Sequence, residues 1–191
     1  MLGPSTGETH RKWLPFAIIG GIAVLVGIFI VSRYNGLVKE REEVTDKWAQ
    51  VQNVLQRRAD LIPNLVNTVK GYAAHEKEIF EHVADARAQL AGAKTPAQAS
   101  AANSALDSAL SRLMVIVENY PQLKANEGFI RLQDELAGTE NRISTERMRY
   151  NDAVRDFNQS IKTFPNSLFG FADKEYFQAD AKAQTVPEVK F

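Results

Sequence analysis

Two histidines and three glutamates share one short stretch, His75-Glu76-Lys77-Glu78-Ile79-Phe80-Glu81-His82. These are residue types that hold metals and move protons. A zinc-protease helix needs two histidines four apart with a glutamate between them. Here the histidines are seven apart, about 10.5 Å along a straight helix, too far to share one ion at Zn–N distances near 2 Å. Glu78 and His82 fall four apart and could share a metal, but that is also the spacing of an ordinary solvated helix pair. A metal-dependent enzyme built on His75, Glu78 and His82 is therefore the weakest functional reading. The chain has no cysteine, which excludes thiolate nucleophiles, disulfides and cysteine-ligated clusters. Neither a phosphate-binding glycine loop nor a nucleophile elbow is present. No catalytic residue, metal or cofactor is assigned.

Other polar residues stand where apolar ones are expected. Arg41, Arg58, Glu76, Arg87 and Glu146 occupy core-facing seam positions. Long charged side chains at such sites either snorkel to water or pair with an opposite charge; interhelical ion pairs that fix register are the sharper possibility. Arg57, Arg58 and Asp60 read as a structural charge group at a joint that also contains Pro63 and Asn64. Asn141, Asn151 and Asn158 recur beside Glu140, Tyr150 and Phe157, and their amides can cross-link neighbouring helices by hydrogen bonds.

The elements that must position these residues are helical. Leu14 to Ser32 contains no charge, and about 20 apolar residues cross one bilayer. Arg11, Lys12 and Trp13 flank one end, Arg33 and Tyr34 the other, as interfacial anchors do. Val31-Ser32-Arg33-Tyr34 is a poor cleavage site, so a retained span is expected rather than a signal peptide. Next, Leu37, Arg41, Val44, Trp48, Val51, Leu55, Arg58 and Ile62 alternate four and three apart, predicting helix A over about 35–60. Helix B follows over about 62–91 and stops at Gly92. Thr95-Pro96 caps the alanine-rich helix C, with a seam of Ala99, Ala102, Leu106, Ala109, Leu113, Ile116 and Tyr120. Helix D, about 123–163, buries Phe129, Leu132, Leu136, Ile143, Tyr150, Val154, Phe157 and Ile161 and ends at Phe164-Pro165.

Pro63 divides A from B. Asp60 is placed to cap a new helix there, and short connections between antiparallel neighbours favour a hairpin. The alternative is one long kinked helix. The expected fold is all-α: a polar N-terminus (1–13), a transmembrane helix (14–32), an up-and-down antiparallel four-helix bundle (33–164) and an irregular aromatic tail (165–191). For the tail, with Phe169, Phe171, Tyr176, Phe177 and a final VPEVKF, three placements compete: on the bundle, against a neighbouring subunit, or on the headgroups. Lysine plus arginine and aspartate plus glutamate each total 23. That balance gives no bulk field for nucleic acid. Arg33, Lys39, Arg41 and Lys47 after the span mildly favour a cytoplasmic body.

Two blocks of sequence carry a resemblance to a known family. RRADLIPNLV with VKGYAAHE, and ELAGTENRISTERMRYNDAVRDFNQSIKTFP with VPEVKF, are similar to the LemA family of membrane-anchored helical proteins. The resemblance covers 34–191 and departs at Glu146-Arg147, where the family pattern has alanine before arginine. It implies a membrane-anchored bacterial protein with no settled biochemical activity. Some similar proteins replace the span with a lipoprotein signal before the Tyr-Asn pair, which would put the body outside the cytoplasm, so the side stays open. It also implies relatives that organise membrane compartments and an association with membrane zinc proteases. The expected function is a non-enzymatic scaffold in a lipid bilayer, self-associating into a homo-oligomer. The alternative is an accessory subunit of a membrane protease.

Overall fold

The computed structural model describes residues 8–73 and 75–178; 1–7, Ala74 and the VPEVKF end lie outside the described residues. The protein is all-α, with no strand among the described residues. Helix α1 (Glu8–Lys70) is 63 residues long, about 95 Å at 1.5 Å per residue. Its first part is long and apolar enough to cross a membrane, and none of that stretch is buried by protein. The core begins one helical turn later, at Leu37 and Val44, with no linker between.

Four helices then alternate in direction: α1, α2 (Lys77–Gly92), α3 (Pro96–Val117) and α5 (Glu127–Lys162), with the one-turn α4 (Pro121–Lys124) before the last. The expected helix D is therefore broken, and Asn126 caps α5 by accepting from Phe129 N at 3.0 Å. Thr95 and Gln98 form a capping box at the start of α3, satisfying otherwise orphaned N–H groups. The α3 seam ends on Val117 rather than on Ile116 and Tyr120, which are only partly buried.

The hairpin expected at Pro63 does not form. Helix α1 passes through Pro63, which lies on its exposed side, and the chain reverses instead between Gly71 and Glu76. Asp60 is accordingly mid-helix, exposed, and accepts from Gln56 Nε2 at 2.8 Å instead of capping anything. Nor is the expected alternative realised, since α1 does not continue into α2. The later reversal keeps four helices packed: α5 pairs with α1 along its length, while α2 and α3 pair with each other beside them.

With only 16 and 22 residues, α2 and α3 are about 24 and 33 Å long, and α5, at 36 residues, is about 54 Å. The part of the α1–α5 pair nearest the apolar segment is thus left uncovered by helices. The tail fills that place. After a 3₁₀ turn (Asn166–Phe169), Gly170 adopts φ 69°, a left-handed conformation that glycine accepts without a Cβ clash. The chain then runs extended over 171–178. Trp48 meets Tyr150 and Phe177 at ring centroid distances of 5.4 and 6.2 Å, and Tyr34 meets Phe171 at 5.7 Å. A second cluster, including Leu65, Phe80, Leu113, Leu123 and Phe129, closes the far end.

Candidate functional site

One level of the bundle concentrates its buried polar chemistry. Arg58 of α1 is 4% exposed. Its Nη1 donates to Asn103 Oδ1 at 2.7 Å and to Glu140 Oε2 at 2.5 Å, and its Nη2 donates to Asp107 Oδ1. Asn103 Nδ2 in turn donates to Asp107 Oδ2 at 3.2 Å. One guanidinium therefore joins α1, α3 and α5. A rigid planar fork suits this use, because its donors diverge in fixed directions toward several acceptors. Arg58 and Glu140 stand out in the sequence as charges beside a core stripe. Asn103 and Asp107 escape sequence reasoning; their only signal is a one-turn Asn–Asp spacing inside an alanine-rich helix.

The fourth helix joins at the adjacent residue. A proline at 63 has no N–H to give the carbonyl four residues earlier, that of Ala59. Arg87 of α2 supplies the missing donor: its Nε donates to Ala59 O at 2.8 Å. A defect in α1 thus becomes the acceptor for an interhelical bond, which explains both how α1 tolerates Pro63 and why an arginine sits on the α2 seam. The pair should behave as a unit. Arg87→Met is expected to cost about 1.5–2 kcal/mol, the scale of a hydrogen bond from a charged donor. In a Pro63→Ala background, where the backbone N–H of the introduced alanine satisfies the carbonyl, it should cost about 1 kcal/mol less. Urea unfolding of the four proteins measures this coupling; equal costs in both backgrounds would refute it.

Below that level, α5 holds the tail by its amides. Asn151 Nδ2 donates to Phe177 O, and Asn151 Oδ1 accepts from Phe177 N, both at 2.9 Å. Asn158 repeats the arrangement on Lys174, at 2.9 and 2.8 Å. Two side-chain amides, seven residues apart on one face, pair with the tail backbone as a neighbouring β-strand would. Tyr150 Oη donates to Glu175 O at 2.6 Å. Burial, and secondarily the nearby Glu175 charge, push its pKa up to about 12. Ser100 Oγ donates to Gln178 O at 2.9 Å, joining the tail to the start of α3. Asn151 and Asn158 therefore bind the tail and not a neighbouring helix, because α2 and α3 do not extend that far.

The remaining candidates do not converge. Arg57, Asn64 and Asn141 are exposed, and Glu76 is a partly buried turn residue whose side chain caps nothing. Glu146 pairs with Arg149 on its own helix at 2.7 Å, and Arg41 lies 5.9 Å from the centre of the Phe171 ring. Pro165 opens the 3₁₀ turn. Glu78 and His82 form an exposed pair at 3.6 Å. Among the described residues, no three His, Asp or Glu side chains gather as a metal centre would require. A groove of about 210 Å³ between α1 and α5, lined by Glu40, Glu43, Lys47, Arg149, Asp152 and Asp156, mixes both charges without pairing a nucleophile to a base. The Nη1 and Nη2 groups of Arg58 donate inside the protein. The arrangement links the helices and holds the tail.

Several known proteins are similar to this chain. Magnetosome protein MamQ 2 of Paramagnetospirillum magneticum is 28% identical over 186 residues, covering 82% of this chain and 68% of its own. Magnetosome protein MamQ of Magnetospirillum gryphiswaldense is 27% identical over 186 residues, with the same coverage. Protein LemA of Metamycoplasma hominis is 25% identical over 170 residues, covering 84% and 78%. None of these names describes an enzymatic activity. With its apolar N-terminal helix, the chain is a membrane-associated protein. The LemA family model matches residues 47–191, which takes in the Arg58 level, the Pro63 joint and the whole amide-bound tail; this chain belongs to the LemA family.

Proposed function

We propose that this protein is a non-enzymatic membrane scaffold whose bundles stand on the bilayer and associate with further copies of the chain. The observation that carries this reading is the continuity of α1 from Glu8 to Lys70. A flexible linker would let the bundle wander, whereas an unbroken helix transmits the orientation of the membrane segment to the core. A scaffold needs that stiffness; a tethered enzyme does not. The Arg58 network, which ties α1, α3 and α5 together, accords with a structural role. Val115, Ile130 and Met148 are exposed on α3 and α5 and supply apolar contact points for a neighbouring copy. Two relatives named as magnetosome proteins accord with a role in membrane organisation.

The test is the mass of the full chain purified in nanodiscs or detergent, by mass photometry with negative-stain imaging. A discrete ring or shell is expected. A monomer or dimer would overturn the larger assembly and turn the search to a membrane partner such as a protease.

A further inference from the structure

At the foot of the bundle the chain turns over 163–169, between the end of α5 and the outgoing tail. Its position is tightly determined. Asn166 is 4% exposed; its Nδ2 donates to Ser160 O at 2.9 Å and its Oδ1 accepts from Arg33 Nε at 3.3 Å. Phe169 meets Tyr34 edge-on at 5.6 Å. Arg33 and Tyr34 are the residues at which the apolar segment of α1 ends. The turn therefore lies at the level where α1 leaves the membrane, displaced to one side by the usual spacing of packed helices, about 8–10 Å.

At this level the turn exposes apolar side chains. Phe164 is 77% and Leu168 75% exposed, although buried Asn166 lies between them. Isolated exposed apolar residues are ordinary on a soluble surface. At the level where a membrane span ends, however, the surroundings are headgroups and the acyl boundary, where partial insertion of two such residues in one turn is favourable. Arg33 and Tyr34 beside them are types that anchor at this interface.

We infer that Phe164 and Leu168 form a second membrane contact, entering the interfacial layer of the leaflet from which α1 emerges. The inference rests on the membrane-anchored reading and adds to it. One helix alone leaves the bundle free to rotate about the helix axis and to tilt. A contact off that axis removes the rotation and restricts the tilt, so every bundle presents the same face to its neighbours.

The chain contains no cysteine, so a single introduced cysteine can carry a nitroxide label without competition. Full-length Phe164→Cys and Leu168→Cys proteins, checked by circular dichroism, are placed in nanodiscs of phosphatidylcholine and phosphatidylglycerol. Collisions with oxygen, which concentrates in lipid, are compared with collisions with a water-soluble nickel chelate. Ile22→Cys serves as the in-membrane control and Asp134→Cys, exposed on α5, as the aqueous one. Labels at 164 and 168 are expected to favour oxygen, as at 22, while the label at 134 favours nickel. Nickel-dominated labels at 164 and 168, with 22 still in lipid, would overturn the inference and leave the anchor intact. Labels shielded from both reagents would also overturn it, by placing the turn against protein. An aqueous label at 22 would defeat the anchored reading itself.

Discussion

Asp107→Ala/Glu140→Ala is expected to destabilise the protein by about 3–5 kcal/mol, whereas Arg58→Met should cost less than about 2 kcal/mol. The asymmetry comes from which partner can reach water. The Arg58 side chain is 5% exposed, but those of Asp107 and Glu140 are 39% and 47% exposed. Without both carboxylates, a positive charge remains in the core with one amide oxygen as its acceptor, and its Nε is already without a partner. Without Arg58, the carboxylates turn outward and hydrate, and an apolar side chain of similar length fills the space. Either single carboxylate variant should cost well under half of the double, since the remaining acid still pairs with the guanidinium. Urea unfolding at pH 7, followed by circular dichroism, ranks the variants. If Arg58→Met proved as damaging as the double variant, the buried charge would not dominate.

Asn151→Ala/Asn158→Ala should release the tail while leaving the helices formed. Four hydrogen bonds are lost, each contributing roughly 0.5–1.5 kcal/mol, so tail docking should weaken by about 2–6 kcal/mol. Hydrogen exchange localises the effect: amides of 171–178 should lose protection while α2 and α3 keep theirs. Uniform loss of protection, or none, would mean that the aromatic contacts carry the docking. Alkali supplies a second readout of the same contact. Folding raises the Tyr150 pKa above the ordinary value of 10.0 to about 12. The stability linked to this proton is therefore fully present below pH 10 and is lost as pH rises toward 12. The unmodified tail should loosen over that window; in Tyr150→Phe the bond is missing throughout, and that step should disappear.

Much of the architecture is legible in period and composition. The uncharged run from Leu14 to Ser32, the three- and four-residue alternation from Leu37 onward, and the Thr95-Pro96 start of α3 place helices where they occur. These are local signals, because propensity, capping and amphipathicity act within a turn or two. Pro63 misleads for the same reason. Read locally, proline breaks a helix; whether one does depends on whether its orphaned carbonyl finds a donor, and Arg87 lies on another helix. Asn151 and Asn158 mislead similarly, since an amide's partner depends on what the fold brings alongside it.

The sequence alone was sufficient to establish an all-α chain with an apolar N-terminal helix, antiparallel helices and charges on their seams. Only the tertiary structure decided where the chain reverses, that Arg58 and Ala59 gather all four helices at one level, and that an extended tail covers the core where α2 and α3 are too short. Helical periodicity is set by residues three and four apart. Those decisions depend on relative helix lengths and on polar groups separated by 16 to 82 residues, which meet only once the bundle has assembled.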